Sequence, residues 1–209
     1  NNSTWTAYDY EDLKFTIYRS SFDISSTGKL TLTNDSVPSQ TLPVDPIRTI
    51  TGQAFVQLNH PNHHMYASTN NVTISGAASG ITTTLAGAIS STSQTSISIN
   101  ANSEFVASND GSNIYIKIGD EKIVGTISGT TITASTRGYD SSTAATHLVN
   151  ATVELYQLNG IPLDQINKTH TALANTDIDT YTVSTTTQAT SSSNQGGSIV
   201  VATENSQAD

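Results

Sequence analysis

Residues 116–147 read IKIGDEKIVGTISGTTITASTRGYDSSTAATH, and this stretch decides the fold class. Its isoleucines and Ala134 fall an even number of positions apart within each run: Ile116 and Ile118, then Ile123 and Ile127 with Gly125 between, then Ile132 and Ala134. That period of two belongs to strands with one buried face. Gly119-Asp120 and Ser128-Gly129 interrupt it where hairpin turns are needed. The segment therefore predicts three successive strands at 114–118, 122–126 and 131–134.

The same alternation extends in both directions. It predicts strands at 54–58 (AFVQL), 71–75 (NVTIS), 96–99 (SISI), 151–155 (ATVEL), 181–184 (YTVS) and 198–202 (SIVVA). Residues 77–94 are small and polar, with Leu85 and Ile89 as the apolar anchors. The low-complexity run 185–197 (TTTQATSSSNQGG) reads as an exposed loop between strands. Only 162–168 (PLDQINK) has a helical pattern, for one or two turns. The expected fold is all-β, made of small barrels or sandwiches.

Composition agrees with this class. Of 209 residues, 35% are hydrophobic and only 12% charged, unlike a Glu/Lys-rich helical bundle. Ser and Thr make up roughly 30% of the chain, well above ordinary usage. Thr suits a pleated, half-exposed surface and Ser suits turns. The net charge is −9, from 8 basic and 17 acidic residues, which disfavours nucleic acid and anionic membrane as partners. There is no cysteine, so disulfides and thiolate metal sites are excluded. No apolar run approaches the ~18 residues of a membrane-spanning helix.

The first 46 residues stand apart. A period-two strand around 13–19 and a second at 29–33 form an expected N-terminal hairpin arm. Trp5, Tyr8, Tyr10, Phe15, Tyr18 and Phe22 concentrate aromatic side chains in it. Two strands are too few to be stable alone, and aromatics are enriched at interface cores. These six residues are therefore expected to form a partner interface. Pro38, Pro43 and Pro46 mark residues 37–48 as an extended linker. The chain begins Asn1-Asn2-Ser3 without Met and ends in a polar tail, and it is expected to be a segment of a longer polypeptide.

Two motifs resemble modules of bacteriophage virion proteins. The run from Phe105 through Ile116–Ile123, Thr136–His147 and Ala151–Val153 is similar, over roughly 50 residues, to a β module of phage tail and fibre proteins. Glu121, Arg137 and His147 are expected to form a structural polar cluster that pins a loop to the sheet. A second module, residues 60–76 (HPNHHMYASTNNVTISG), resembles another recurrent virion pattern, whose second half returns at 159–170 (NGIPLDQINKTH). His64 stands where that pattern has Gly. The arm with its linker resembles structural proteins of contractile-tailed phages, including cyanophages.

The interrupted module implies nesting. The expected parts are the arm and linker at 1–46, an outer β domain at 47–80 plus 156–205, and an inserted β domain at 81–155. The resemblance implies a tail or baseplate component that mediates protein–protein assembly in the virion and is produced in the host cytoplasm. Implied partners are other virion proteins and copies of the chain itself, in trimers among other states. No cofactor, nucleic acid or membrane is implied.

His60, His63 and His64 are weak candidates for a metal site, because imidazole is a common ligand; loop histidines held by hydrogen bonds fit better, and the expected metal is none. A receptor-binding module holding a glycan is the alternative function, with Tyr66, Tyr139 and Tyr181 as candidate platforms. A polysaccharide hydrolase needs two carboxylates about 5–10 Å apart. Asp120, Glu121, Asp140 and Glu154 are the acids near signature positions, but adjacent strand residues such as Asp120 and Glu121 face opposite ways. No phosphate loop, nucleophile elbow or H-E-x-x-H occurs. The expectation is no enzyme and no catalytic residue.

Overall fold

A computed structural model describes residues 39–64, 71–107 and 113–205, together with Thr16 and Tyr18. The expected arm, with Trp5, Tyr8, Tyr10, Phe15 and Phe22, lies outside the described residues, as does Tyr66; Tyr18 is exposed. The chain divides after Thr33, and all the strands described below belong to the unit 34–209. The fold is all-β, with 48% strand and 4% helix.

The strands in chain order are β1 (Gln40–Thr41), β2 (Ile47–Thr49), β3 (Phe55–Asn59), β4 (Asn71–Ser75), β5 (Thr82–Thr84) and β6 (Ser96–Ser98). After the short helix α1 (Ser103–Ala107) come β7 (Asn113–Ile118), β8 (Glu121–Ser128), β9 (Thr131–Arg137) and β10 (Thr152–Leu155). The remainder are β11 (Gln157–Leu158), β12 (Ile161–Pro162), β13 (Thr169–His170), β14 (Leu173–Ala174), β15 (Thr180–Ser184), β16 (Ser193–Gln195) and β17 (Val201–Asn205).

One six-stranded sheet, β5-β10-β7-β8-β9-β6, is built wholly from residues 82–155. Its buried face is rich in isoleucine: Ile97, Ile114, Ile116, Ile118, Ile123, Ile127 and Ile132 join Leu85, Ile89, Phe105, Val153 and others in one cluster. Branched side chains pack well on a pleated surface. The sparse anchors Leu85 and Ile89 are fully used here. Leu85 bridges to Ile99, and Ile89 bridges to His147.

A second cluster draws on Leu42–Ala77 and Leu158–Ala202, with Ile47, Val56, Leu58, Val72, Ile74, Ile161, Ile166 and Tyr181 among its members. It is enclosed by a four-stranded sheet, β1-β17-β4-β13, and a five-stranded sheet, β14-β15-β3-β2-β16. Every ladder pairing is antiparallel. Strands from before residue 76 and after residue 157 alternate in the four-stranded sheet, and in the five-stranded sheet β3 and β2 lie between β15 and β16, so neither half could complete this core alone.

Four local expectations change. Residues 39–46 are not a free linker: β1 pairs with β17, Leu42 is buried, and its N–H donates to the Val200 carbonyl at 2.8 Å. Pro43 and Pro46 confine β1 to two residues on a sheet edge, where a missing donor is tolerated. Residues 185–197 are not wholly an exposed loop. Ala189 is buried, and β16 forms because Thr49 and Asn159 bind its backbone and side chains, a tertiary effect that outweighs the weak strand propensity of Ser-Asn-Gln. The last strand begins at Val201 and not at Ser198, because Gly196 and Gly197 both take positive φ. Helix α1 has no periodicity to announce it; Asn102 Oδ1 caps it by accepting the Glu104 and Phe105 N–H groups at 3.0 and 3.1 Å. The expected helical run at 162–168 contracts to a 3-10 turn, Leu163–Gln165.

Candidate functional site

The inserted sheet carries a buried ion cluster at one end. The tight turn at Gly119-Asp120, with Gly119 at φ 59°, delivers Glu121 as the first residue of β8. Asp120 lies in the turn and is exposed, whereas Glu121 opens the strand and is buried, so the two carboxylates do not share a site. Arg137 reaches the same face through a β-bulge. Register shifts between Val124 and Gly125: Val124 faces Thr136 while Gly125 faces Ala134, which leaves Ser135 over. The extra residue inverts the alternation of β9. Arg137 therefore lies opposite Ile123, on the core face that Glu121 shares.

The Glu121 carboxylate is fully engaged. Arg137 Nε donates to Oε1 at 2.5 Å, and Arg137 NH2 to Oε2 at 2.8 Å. The Ala145 N–H donates to Oε2 at 3.1 Å, and His147 Nε2 lies 2.7 Å from the same oxygen. Arg137 also donates to the carbonyls of Gln94 and Ala145 at 2.8 and 2.6 Å. The structure thus brings Glu121, Arg137 and His147 together and ties loops 86–95 and 138–147 to the sheet. Burial acts to raise the Glu121 carboxyl pKa, but hydrogen bonds from Arg137, His147 and Ala145 outweigh it and hold it below the usual range. Such an arrangement is a clamp: the carboxylate has no free lone pair aimed at solvent.

Gly138 supports the clamp at φ 70°, where an added Cβ would lie 2.8 Å from the Ser142 carbonyl oxygen. Beside it, Lys122 pairs with Asp140 and sits 5.2 Å from the centre of the Tyr156 ring. Tyr139 is half-buried against Tyr115, and its hydroxyl donates to Asp164 Oδ2 at 3.1 Å. Asp164 stands on the 3-10 turn of the outer domain, so this bond links the two cores. Tyr139 is therefore committed to an internal contact.

The outer domain has its own polar cluster. His60 and His63 are each 1% exposed. Glu204 on β17 reaches them from across the sheet, with its Oε1 3.7 Å from His60 Nε2. The His64 backbone N–H donates to both Glu204 oxygens at 3.0 and 3.2 Å, and its ring Nδ1 is 3.3 Å from Oε2. The carboxylate anchors the HPNHH loop to β17. Sequence reading missed Glu204, which lies 140 residues downstream of His64 and carries no motif of its own.

Tyr181 closes the cluster. It is fully buried, its hydroxyl lies 3.1 Å from His60 Nδ1, and its ring meets His63 edge-on at 5.2 Å. This corrects its candidacy as a glycan platform: on β15 it points into the core and not outward. Burial pushes the His60 pKa down to about 4, against the attraction of Glu204 and with repulsion from His63 and His64. Among the described residues, no group of three or more His, Cys, Asp or Glu is placed to hold a metal ion. No helix among them is long and apolar enough to cross a membrane.

The two halves of the histidine module meet. Thr169 and His170 of β13 pair with Thr73 and Val72 of β4. His170 is buried, with Nε2 3.0 Å from the Ile166 carbonyl oxygen. Comparison with protein-family models, curated protein sequences and solved structures returned no match.

Proposed function

We propose that the chain is a virion structural component, a β-rich segment of a phage tail or baseplate protein that mediates protein–protein assembly. The observation that carries this reading is the pairing of β4 with β13. The halves of the virion-like histidine module, separated by a whole β domain with its own core, join in one sheet. Two independently cored lobes joined in this way make a stiff part. The ionisable residues at the signature positions serve that stiffness: Glu121, Arg137 and His147 clamp loops, and Glu204 holds the HPNHH loop. The partners of this reading are other tail or baseplate proteins and further copies of the chain, with the aromatic arm as the contact.

The test is electron microscopy of intact phage particles labelled with antibody raised against residues 47–205. Label at the tail or baseplate is the expected result. Label confined to distal fibres assigns the chain to receptor binding instead. Particles without the antigen overturn the reading.

A further inference from the structure

The outward face of the five-stranded sheet carries an unassigned polar groove. Register places Asn194 of β16 opposite Arg48 of β2, and Arg48 opposite Gln57 of β3; Asn59 of β3 lies opposite Thr180 of β15. Their neighbours Ile47, Thr49, Val56, Leu58 and Tyr181 are buried, so alternation sends this polar set to the solvent side. Together with Val44, Asp45 and Pro46 at one rim, these residues line a depression of about 160 Å³. That equals the liquid volume of about five waters, room for one sugar ring.

The chemistry of the groove is specific. Of the three arginines, Arg137 is spent in the clamp and Arg19 lies outside the described residues. Arg48 is exposed, in a chain of net charge −9, and its guanidinium has no hydrogen bond or ion pair with any described residue. A guanidinium offers a planar fork that matches a carboxylate. Around it stand the amides of Asn59, Asn194 and Gln57, the last donating to the Thr180 hydroxyl at 3.3 Å. Asp45 adds a carboxylate acceptor, held in place by the Gly197 N–H at 2.9 Å. A groove with a cation for one end of a ligand, and amides and a carboxylate for hydroxyls, fits a sugar that bears an acid group. Strand ladders hold most of its walls, so little ordering is needed on binding.

We propose that the Arg48 groove binds a carboxylate-bearing saccharide. This proposal does not rest on the assembly role, and the failure of either leaves the other standing. The test is a nitrogen-15 NMR titration of the whole 209-residue chain with glucuronic acid, N-acetylneuraminic acid, glucose and acetate. At least one acidic sugar is expected to shift the amides of Arg48, Gln57, Asn59 and Asn194, with a dissociation constant on the order of 1 mM. Glucose and acetate should each bind about tenfold more weakly, and Arg48→Gln should weaken the acidic sugar by about tenfold or more. Arg48 is exposed, so an unchanged melting temperature is the expected control. No shift with either acidic sugar, shifts centred elsewhere, or shifts insensitive to Arg48→Gln overturn the proposal. Acetate binding as tightly as the sugars also overturns it, and points to an acidic side chain of a neighbouring protein.

Discussion

Asn167 and Ala77 lie 90 residues apart in sequence, yet they bond as partners in a ladder would. The Ala77 N–H donates to Asn167 Oδ1, and Asn167 Nδ2 donates to the Ala77 carbonyl, both at 2.9 Å. A side-chain amide has the same donor and acceptor pair as a peptide group. Asn167 therefore acts as a one-residue strand at the point where the chain leaves the outer domain for the inserted one.

Replacing Asn167 with Ala strips both partners from Ala77, a residue that is itself buried. Each orphaned group costs about 1–3 kcal/mol. The expected loss in urea unfolding is about 2–4 kcal/mol for the pair. Asn167→Asp should recover part of it by keeping the acceptor; equal losses in the two variants would sink the account.

Glu121→Ala leaves the Arg137 guanidinium buried and without its counter-charge. Removing one partner of a buried ion pair costs about 3–5 kcal/mol. The pH dependence has a definite sign. The folded Glu121 pKa lies below its usual 4.5. The stabilisation is therefore complete above about 4.5 and is lost as pH falls through the folded value. Chemical denaturation from pH 7 down to pH 3 should show this loss in the native chain and not in Glu121→Ala.

His60 shifts stability in the same direction by a different cause, since burial disfavours its charged form. Its folded pKa of about 4 lies below its ordinary 6.5. Between those values the unfolded chain binds the proton and the folded chain does not, so stability falls as pH drops from about 6.5 to about 4. The full effect is on the order of 3 kcal/mol. His60→Asn should flatten that part of the stability profile, and a profile unchanged by the substitution would contradict the burial argument.

Gly125 tests the bulge. Its φ is not in the left-handed region, so its role is spatial: an added Cβ would lie 2.4 Å from the Thr133 carbonyl oxygen. Gly125→Ala must push β9 away and move Arg137 relative to Glu121. We expect a loss of about 1–3 kcal/mol, with chemical-shift changes concentrated at Arg137, Ala145 and His147. A variant as stable as the parent would remove the bulge from the account of the clamp.

Much of the fold was legible in local chemistry. Period-two alternation located the strands around Val56, Ile74, Ile116, Ile123, Ile132, Val153 and Val183, because a half-buried strand must alternate whatever it packs against. Gly119 and Gly129 marked turns for the same local reason, both taking positive φ. Short elements escaped: β1, β16 and α1 form through contacts with distant residues, and their own sequences carry little preference. The clamp residues Glu121, Arg137 and His147 could be named from a motif, but strict alternation along β9 puts Arg137 on the wrong face. Only the bulge, set by the close passage of Gly125 and Thr133, turns it inward.

What the sequence determined by itself is therefore the β class, the main hairpins and the spacing of their turns, since these depend on neighbours a few residues away. What tertiary structure decided is which distant groups share a buried space. Glu204 beneath the HPNHH loop, Tyr181 turned into the core, Asn167 bonded to Ala77 and Arg48 on an exposed sheet face all follow from how sheets stack and strands cross. Stacking and crossing then assign each group its partners, and no window of sequence contains that information.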